Sequence, residues 1–363
     1  MSSKSIRRNR KIVGIDFFCG CGGVSHGFLK AGINVIAGLD NDISVKEVFE
    51  KNHKSSKFFH IDVTKTDQVV SILKKILKEY KDDVIVFSAC APCQPFSLHN
   101  RNYKTDVRKF LLYDFIQIIK KLPPRFRPSF IFCENVRTMR VRGEDVLNKC
   151  LNSLNDIKYE CLEPQVLNTA DFGVPQNRKR LIFVAVLKNI LRDSIIFDWK
   201  YFINKYQEPK KSVRDAIGDL PPIKAGVKEN EILPLHISRA LSPLNLKRLK
   251  SIKSDGGSRA MWDKNDNLNC YKNHKGHDDV YGRMSWDKPA PTLTCHCISI
   301  SNGRFGHPKQ HRAISLLEAA KLQTMGDFKF PKPIFLDKVC RQIGNAVPPK
   351  LAEKFGKFIL ELL

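Results

Sequence analysis

Short apolar runs alternate with amphipathic stretches through the first half of the chain. The runs at 11–18, 34–40, 57–61, 84–89, 129–133 and 180–186 read as strands, because continuous short apolar runs suit strands buried on both faces. Between them, apolar residues recur at helical spacing over 23–31, 43–52, 67–80 and 107–122. In 67–80, Val69, Ile72, Leu73, Ile76 and Leu77 trace one face and form a core stripe. This alternation predicts an α/β class: a doubly wound, mostly parallel sheet with helices on both faces. The order breaks near residue 188. From there to about 283 the chain is polar and irregular, with Pro221-Pro222, Asp255-Gly256-Gly257 and many Lys and Asn, and reads as a second, smaller, loop-rich domain. Helical periodicity returns over 313–325 and 350–362. No internal repeat or low-complexity tract interrupts the pattern.

The 363 residues are enough for one large core and a smaller lobe. Lys and Arg number 62 against 37 Asp and Glu, a formal net charge of +25, with a cluster at Arg7-Arg8-Asn9-Arg10-Lys11. Such an excess favours a polyanionic partner, most commonly nucleic acid. No segment approaches the ~18 apolar residues that span a bilayer, and the N-terminus lacks the apolar core of a signal peptide. A cytoplasmic protein, or a nuclear one if the source has a nucleus, with no membrane partner is expected. Its eleven cysteines should then stay reduced. Cys295-His296-Cys297, with Cys270, His274 and His277 upstream, invites a zinc reading. Structural zinc sites use wider Cys-x₂₋₄-Cys spacing, so no metal is expected.

The most informative stretch is Ser88-Ala-Cys-Ala-Pro-Cys-Gln-Pro-Phe-Ser97, where the strand at 84–89 empties into a cysteine between two prolines. Pro92 and Pro95 stiffen the loop around Cys93, and a thiol so presented at a strand's carboxyl end suits a nucleophile. The Cys90-x-x-Cys93 spacing alone would equally fit a redox pair or an inert cysteine. Asp16-Phe-Phe-Cys-Gly20-Cys-Gly22-Gly23 follows the first strand and opens the first helix, where glycines allow a tight turn and close approach to a ligand. Asp40 and Asp62 lie at or just past the next two strand ends. Carboxyl ends of adjacent strands converge on one crevice, the usual ligand site of open α/β sheets. Phe132-Cys133-Glu134-Asn135-Val136 brings a carboxylate to the same edge as Cys93. Gln176-Asn177-Arg178-Lys179-Arg180 leads into the last of the strands, and alternate residues of an extended segment would aim Arg178 and Arg180 the same way.

These segments, in this order, resemble the motifs of the DNA (cytosine-5) methyltransferases, of the bacterial restriction–modification type. The Pro-Cys-Gln, Glu-Asn-Val and Gln-x-Arg-x-Arg motifs match at 92–94, 134–136 and 176–180. Asp106-Val-Arg108 with Leu111, Arg283 to Thr294, Arg312 to Gln323 with Glu318, and Gln342-Ile-Gly-Asn-Ala-Val-Pro-Pro349 complete the set. The resemblance covers nearly the whole chain and leaves 188–282 unmatched. It implies an S-adenosylmethionine-dependent, Rossmann-like fold, with Cys93 as nucleophile, Glu134 assisting at N3 of cytosine and Arg178 or Arg180 gripping the base. Cytosine C5 becomes nucleophilic once a thiolate adds to C6, and that addition is eased when a partly buried glutamate of raised pKa protonates N3. The loop is similar to the D-x-F-x-G-x-G-G cofactor loop. Asp16, Phe18, Gly20, Gly22, Gly23, Asp40, Asp62, Val63, Pro92, Leu111 and Asn345 are therefore expected to hold S-adenosylmethionine. Asp40 stands where the family more often has Glu, Ala91 replaces a frequent proline, Ala346 a frequent serine and Lys109 a frequent glycine. No adenine-stacking aromatic follows Asp40, since Asn41 occupies that place.

The resemblance also implies a division of labour: a catalytic, cofactor-binding domain at 1–186 plus 330–363, a target-recognition domain at 187–311 and a connecting helix at 312–329. The target cytosine in double-stranded DNA must flip out of the stack to react. The loop after Cys93, with Gln94, Ser97, His99 and Arg101, is expected to close on DNA, and Arg259 to read a base. A monomer is expected, with a cognate restriction endonuclease acting on the same site without direct contact. Two alternatives differ in class. An RNA cytosine-5 methyltransferase of the transfer-RNA branch would usually carry a Cys-Phe-Thr tripeptide, which is absent. A catalytically silent DNA-binding protein would have no need of a preset nucleophile.

Overall fold

The computed structural model describes residues 10–98, 100–190, 197–253, 255–262 and 279–363. His99, Cys270, His274 and His277 lie outside them. The chain forms two compact units, one of Met1–Leu167, Arg180–Lys205 and Ala352–Leu363, the other of Asn168–Lys179 and Tyr206–Leu351. By compactness, residues 330–351 go with the second unit, whereas the motif order grouped them with the cofactor lobe.

The first unit is built on β1 (Ile12–Phe17), α1 (Gly23–Ala31), β2 (Asn34–Asp40), α2 (Lys46–Asn52), β3 (Lys57–His60), α3 (Thr66–Leu77), β4 (Val84–Ala89), α4 (Leu111–Lys121) and β5 (Phe130–Val136). It continues with α5 (Met139–Arg142), α6 (Glu144–Asp156), β6 (Tyr159–Cys161), β7 (Gln165–Asn168), β8 (Lys179–Leu187) and α7 (Trp199–Tyr206). The sheet order is β3-β2-β1-β4-β5-β8-β6, with β7 also pairing β8. The five strands from β3 to β5 are parallel. The run at 180–186 is a strand, but it enters antiparallel to β5, and β6 is antiparallel to it in turn. A buried strand has the same apolar pattern in either direction, so the sequence could not give this reversal.

The register fixes the working edge. Phe17 pairs with both Leu39 and Ala89, and Ala89 with Cys133, so β1, β2 and β4 end near one level while β5 runs on to Val136. Strand order reverses between β1 and β4, the switch point at which such sheets open a crevice. Beneath it Phe17, Phe87 and Phe115 pack at centroid distances of 5.2 and 4.8 Å from Phe17. On α3, Val69, Leu73 and Leu77 are buried and Ile72 and Ile76 pack at the margin of the core. Two helices were not expected from the sequence: α5, too short to show a period, and α6, which buries an apolar stripe at Val146, Leu147, Cys150 and Leu154.

The second unit carries α8 (Val213–Ile217), α9 (Pro243–Ser251), α10 (Leu316–Leu322) and α11 (Leu336–Asn345), joined by long irregular segments. The periodic stretch 313–325 shrinks to α10 because Ser315 and Glu318 form a capping box that starts the helix there. A buried polar knot holds this unit. Arg283 donates to the carbonyls of Leu249, Ile252, His307 and Gln310, and buried Arg312 makes a two-pronged pair with Glu318 at 2.6 and 2.7 Å. The last helix, α12 (Pro349–Glu361), returns to the first unit, where Phe355 stacks on Phe202 at 4.3 Å and meets Phe132 at 4.8 Å. Among the described residues no helix is long and apolar enough to cross a membrane.

Candidate active site

The loop after β1 turns through three left-handed residues, Phe18 (φ 55°), Gly20 (φ 52°) and Gly22 (φ 91°). Phe18 pays a strain that glycine would avoid, a feature that clusters at ligand sites. Gly22 has no alternative, since a Cβ there would stand 2.1 Å from the His53 ring. At Gly20 a Cβ would meet nothing within 4 Å, so open space adjoins this backbone. Gly23 begins α1.

Asp16 is buried and bonded within the protein. Its buried carboxylate accepts from the Ser25 hydroxyl and the Ser88 hydroxyl, both at 2.7 Å, and from the Ser25 amide at 3.2 Å. It thereby ties the loop to α1 and β4. Burial pushes its pKa up to about 6 despite these donors. Asp40 accepts the Gly20 amide on one oxygen and the Asp42 amide on the other, both at 2.9 Å, and burial raises its pKa. Each carboxylate oxygen takes more than one donor, so Asp40 keeps acceptor capacity for a diol. Asp62 accepts from the amide and hydroxyl of Thr64. Asp114 on α4 was not singled out by sequence; burial and then the charge of Asp62 raise its pKa. Val63 is buried, and Pro92 and Leu111 are half-buried. An open space beside a glycine turn bonded to Asp40, with Asp62 past the next strand end, fits a nucleoside with a ribose diol.

Cys93 is half-buried at the head of a 3₁₀ turn, Gln94–Phe96. Its loop is fixed from β5: the Asn135 side-chain amide donates to the Ala91 carbonyl at 3.1 Å, while its oxygen accepts the Val136 amide at 2.8 Å. Asn135 stood in a quoted motif without a role, and only the fold supplies one. Next to it, Glu134 pairs with Arg180 at 2.9 Å, their side chains 9% and 12% exposed. Cys90 lies against Glu134; burial, and next the Glu134 charge, push its thiol well above the usual range, so Cys90 stays protonated.

Arg178 and Arg180 do not act as a pair. Residue 178 precedes β8, so the two-residue alternation does not reach it. Buried Arg178 instead donates to the carbonyls of Leu293 and Gly344 at 3.1 and 3.0 Å. The loop after Cys93 is pinned by Arg142, which donates to the Ser97 carbonyl at 2.5 Å and covers the Tyr103 ring. Asp106 accepts from Asn100 and from the Arg108 guanidinium, whose hydrogen bonds hold its pKa down to about 2. Gln94, Ser97, Asn100, Asp106 and Arg108 line an open surface pocket of about 520 Å³. Arg101 is exposed. In the second unit, Asn345 ends α11 on the surface. Arg259 opens a turn capped by Ser258, on a loop held by Arg304, which donates to the Gly256 and Gly257 carbonyls. Among the described residues no group of three His, Cys, Asp or Glu is arranged to hold a metal.

The family model for C-5 cytosine-specific DNA methylases matches residues 12–361. A Type II methylase of Herpetosiphon aurantiacus, M.HgiDII, is 36% identical, covering 96% of this chain and 95% of the relative. A Type II methyltransferase of Escherichia coli, M.Eco47II, is 28% identical over 96% of this chain and 79% of its own. Among solved structures, a DNA modification methyltransferase described as encoded within an Escherichia coli prophage superposes with a TM-score of 0.74, at 23% identity, over 97% of this chain and 99% of that one.

Proposed function

This chain belongs to the C-5 cytosine-specific DNA methylases, and from that membership we propose that it methylates one cytosine of a specific double-stranded DNA site through a covalent Cys93 adduct. It is a DNA methyltransferase and uses S-adenosylmethionine, as its family does. The Type II relatives support a role in protecting DNA against a cognate endonuclease.

The observation that carries the mechanism is the convergence of the pinned Cys93 loop with the Glu134–Arg180 pair at one sheet edge. Cys93 Sγ attacks C6 of the flipped base. Electron density moves toward N3, where Glu134 supplies the hydrogen bond or proton, and C5 becomes an enamine carbon. Arg180 holds the Glu134 carboxyl in place and faces the base oxygen O2. The cofactor, when bound, supplies an electrophilic methyl group for C5; Asp40 would take its ribose hydroxyls, and Asp62 its adenine amino group. A base then removes the C5 proton, electrons return to break the C6–S bond, and Cys93 leaves as thiolate. Gln94, Ser97 and Arg101 meet the DNA, and Arg259 on its anchored loop reads a base edge.

The test is a duplex with 5-fluorocytosine at the target, incubated with enzyme and cofactor. Fluorine blocks the final elimination, so a denaturation-resistant protein–DNA complex is expected, mapped to Cys93 by peptide mass. Trapping that persists in Cys93→Ser would place the nucleophile elsewhere. Bisulfite sequencing of DNA from an expressing host then reads the methylated site directly.

A further inference from the structure

The Cys295-His296-Cys297 motif has no part in the methyl-transfer site, yet the structure gives it a partner. Cys297 and Cys340 stand with their sulfurs 3.5 Å apart, and both side chains are fully buried in the second unit. Cys340 lies on α11, and the turn at 294–297 is pressed against that helix. At Gly344 an added Cβ would sit 2.2 Å from the Thr294 carbonyl oxygen. The two sulfurs are therefore held in register by packing on both sides.

The surroundings of the two sulfurs are unequal. Either sulfur can donate to the other, and the main-chain amides of Ile298 and Cys297 lie near Cys340. The bond to Cys297 first, and then these amides, hold the Cys340 pKa down against burial, while the same bond and burial raise Cys297. Thiolate is the form that attacks a disulfide, and these directions favour Cys340 over Cys297 for that role. Cys295, two residues before Cys297, is half-buried and close enough for its charge to act on Cys297. Of the three thiols it is the one that reaches solvent.

We propose that Cys297 and Cys340 form a redox-active dithiol, closed to a disulfide by small-molecule disulfides that enter through Cys295. In the first step the Cys295 thiolate attacks glutathione disulfide, forming a mixed disulfide and releasing one glutathione thiolate. Cys297 then attacks the Cys295 sulfur and expels the second glutathione thiolate. Finally Cys340 attacks the Cys297 sulfur and returns Cys295 as thiolate. Two protein thiols are oxidised, one glutathione disulfide is reduced to two glutathione molecules, and two protons pass to solvent. Closure draws the sulfurs from 3.5 Å to about 2.05 Å, a movement that side-chain rotation can supply. The result is a covalent tie between α11 and the turn that packs on it.

The full-length protein is equilibrated in glutathione buffers from fully reduced to fully oxidised, quenched in acid, unfolded, alkylated and mapped by mass spectrometry. The expected product is one linked peptide pair, Cys297 with Cys340, lighter by two hydrogens and restored by dithiothreitol. Cys295→Ser should slow its formation by about tenfold or more, because the accessible attacking thiol is gone, and leave the equilibrium ratio unchanged. Cys340→Ser should stop the exchange at glutathione on Cys295 or at a Cys295–Cys297 link. If Cys297 and Cys340 are both alkylated after exposure to the most oxidising buffer, the dithiol is refuted. A wild-type end product joining Cys295 to Cys297 refutes it equally, and an unchanged rate in Cys295→Ser refutes the entry route. The wild-type map decides the main point even if Cys340→Ser fails to fold.

Discussion

The Arg180 guanidinium stands 2.9 Å from a Glu134 carboxylate oxygen across the antiparallel β5–β8 ladder. The pair exists because β8 runs against β5, with Val136 opposite Arg180 and Glu134 opposite Ile182. Both groups are nearly buried, so each depends on the other to offset desolvation. Removing one partner of such a pair typically costs about 3–5 kcal/mol, since the survivor is left as an unpaired buried charge. Arg180→Ala should therefore lower both activity and unfolding free energy. Glu134→Gln, which cannot deliver a proton, should reduce the methylation rate on the order of 10²–10⁴-fold. The double variant should be more stable than Arg180→Ala alone. Denaturant titrations showing purely additive losses would mean that the two side chains are not coupled.

Asn135 ties β5 to the Cys93 loop. Its amide is the donor to Ala91, so Asn135→Ala should cost about 1–3 kcal/mol of stability and lower kcat while leaving cofactor affinity as it was. Asn135→Asp retains the acceptor for the Val136 amide but loses the donor, and should share the kcat defect. Single-turnover kinetics with equilibrium cofactor binding separate the two effects. An Asn135→Asp enzyme with wild-type kcat would dismiss the tie to Ala91.

Specificity should respond to Arg259 and to the arginine beneath its loop. Arg259→Ala should relax or shift the methylated site, worth about 1–3 kcal/mol at one base position. Arg304, which joins the Gly256 and Gly257 carbonyls to Asp279, should do the same indirectly when changed to Ala, with Arg304→Lys restoring little because one ammonium cannot span three acceptors. Lys253→Ala should weaken all DNA alike and flatten the salt dependence. Methylation of a randomised duplex pool, read by bisulfite sequencing, gives the comparison; an unaltered site preference in Arg259→Ala would move base reading to another residue.

Stability should fall on mild acidification, through His53 under the glycine turn. Burial lowers its pKa from 6.5 to about 4. The folded state thus resists a proton that the unfolded chain accepts below pH 6.5. Its contribution is complete above that pH and is lost as pH falls toward 4, amounting to at most about 3 kcal/mol. His53→Gln should flatten the unfolding free energy across this window relative to wild type. Parallel slopes in the two proteins would assign the acid sensitivity to other groups.

Much of this molecule was written in its local patterns. Continuous apolar runs marked the five parallel strands, and helical spacing marked α1 and α3 to within a few residues, because burial on both faces of a sheet leaves a signal in the chain itself. The candidate site residues stood out for a related reason: Cys93, Glu134, Asp40 and the glycine turn each sit at or near a strand end, where an abrupt change from apolar to special residues is visible. The partners of those residues were decided only by folding. The direction of β8, the Glu134–Arg180 pair, the tie from Asn135 to Ala91, the inward commitment of Arg178 and the contact of Cys297 with Cys340 join residues up to 166 positions apart. Local sequence carries propensity and period, whereas a hydrogen bond or ion pair needs two groups at about 3 Å in one orientation. That proximity is a property of strand order, register and packing, which no single segment contains.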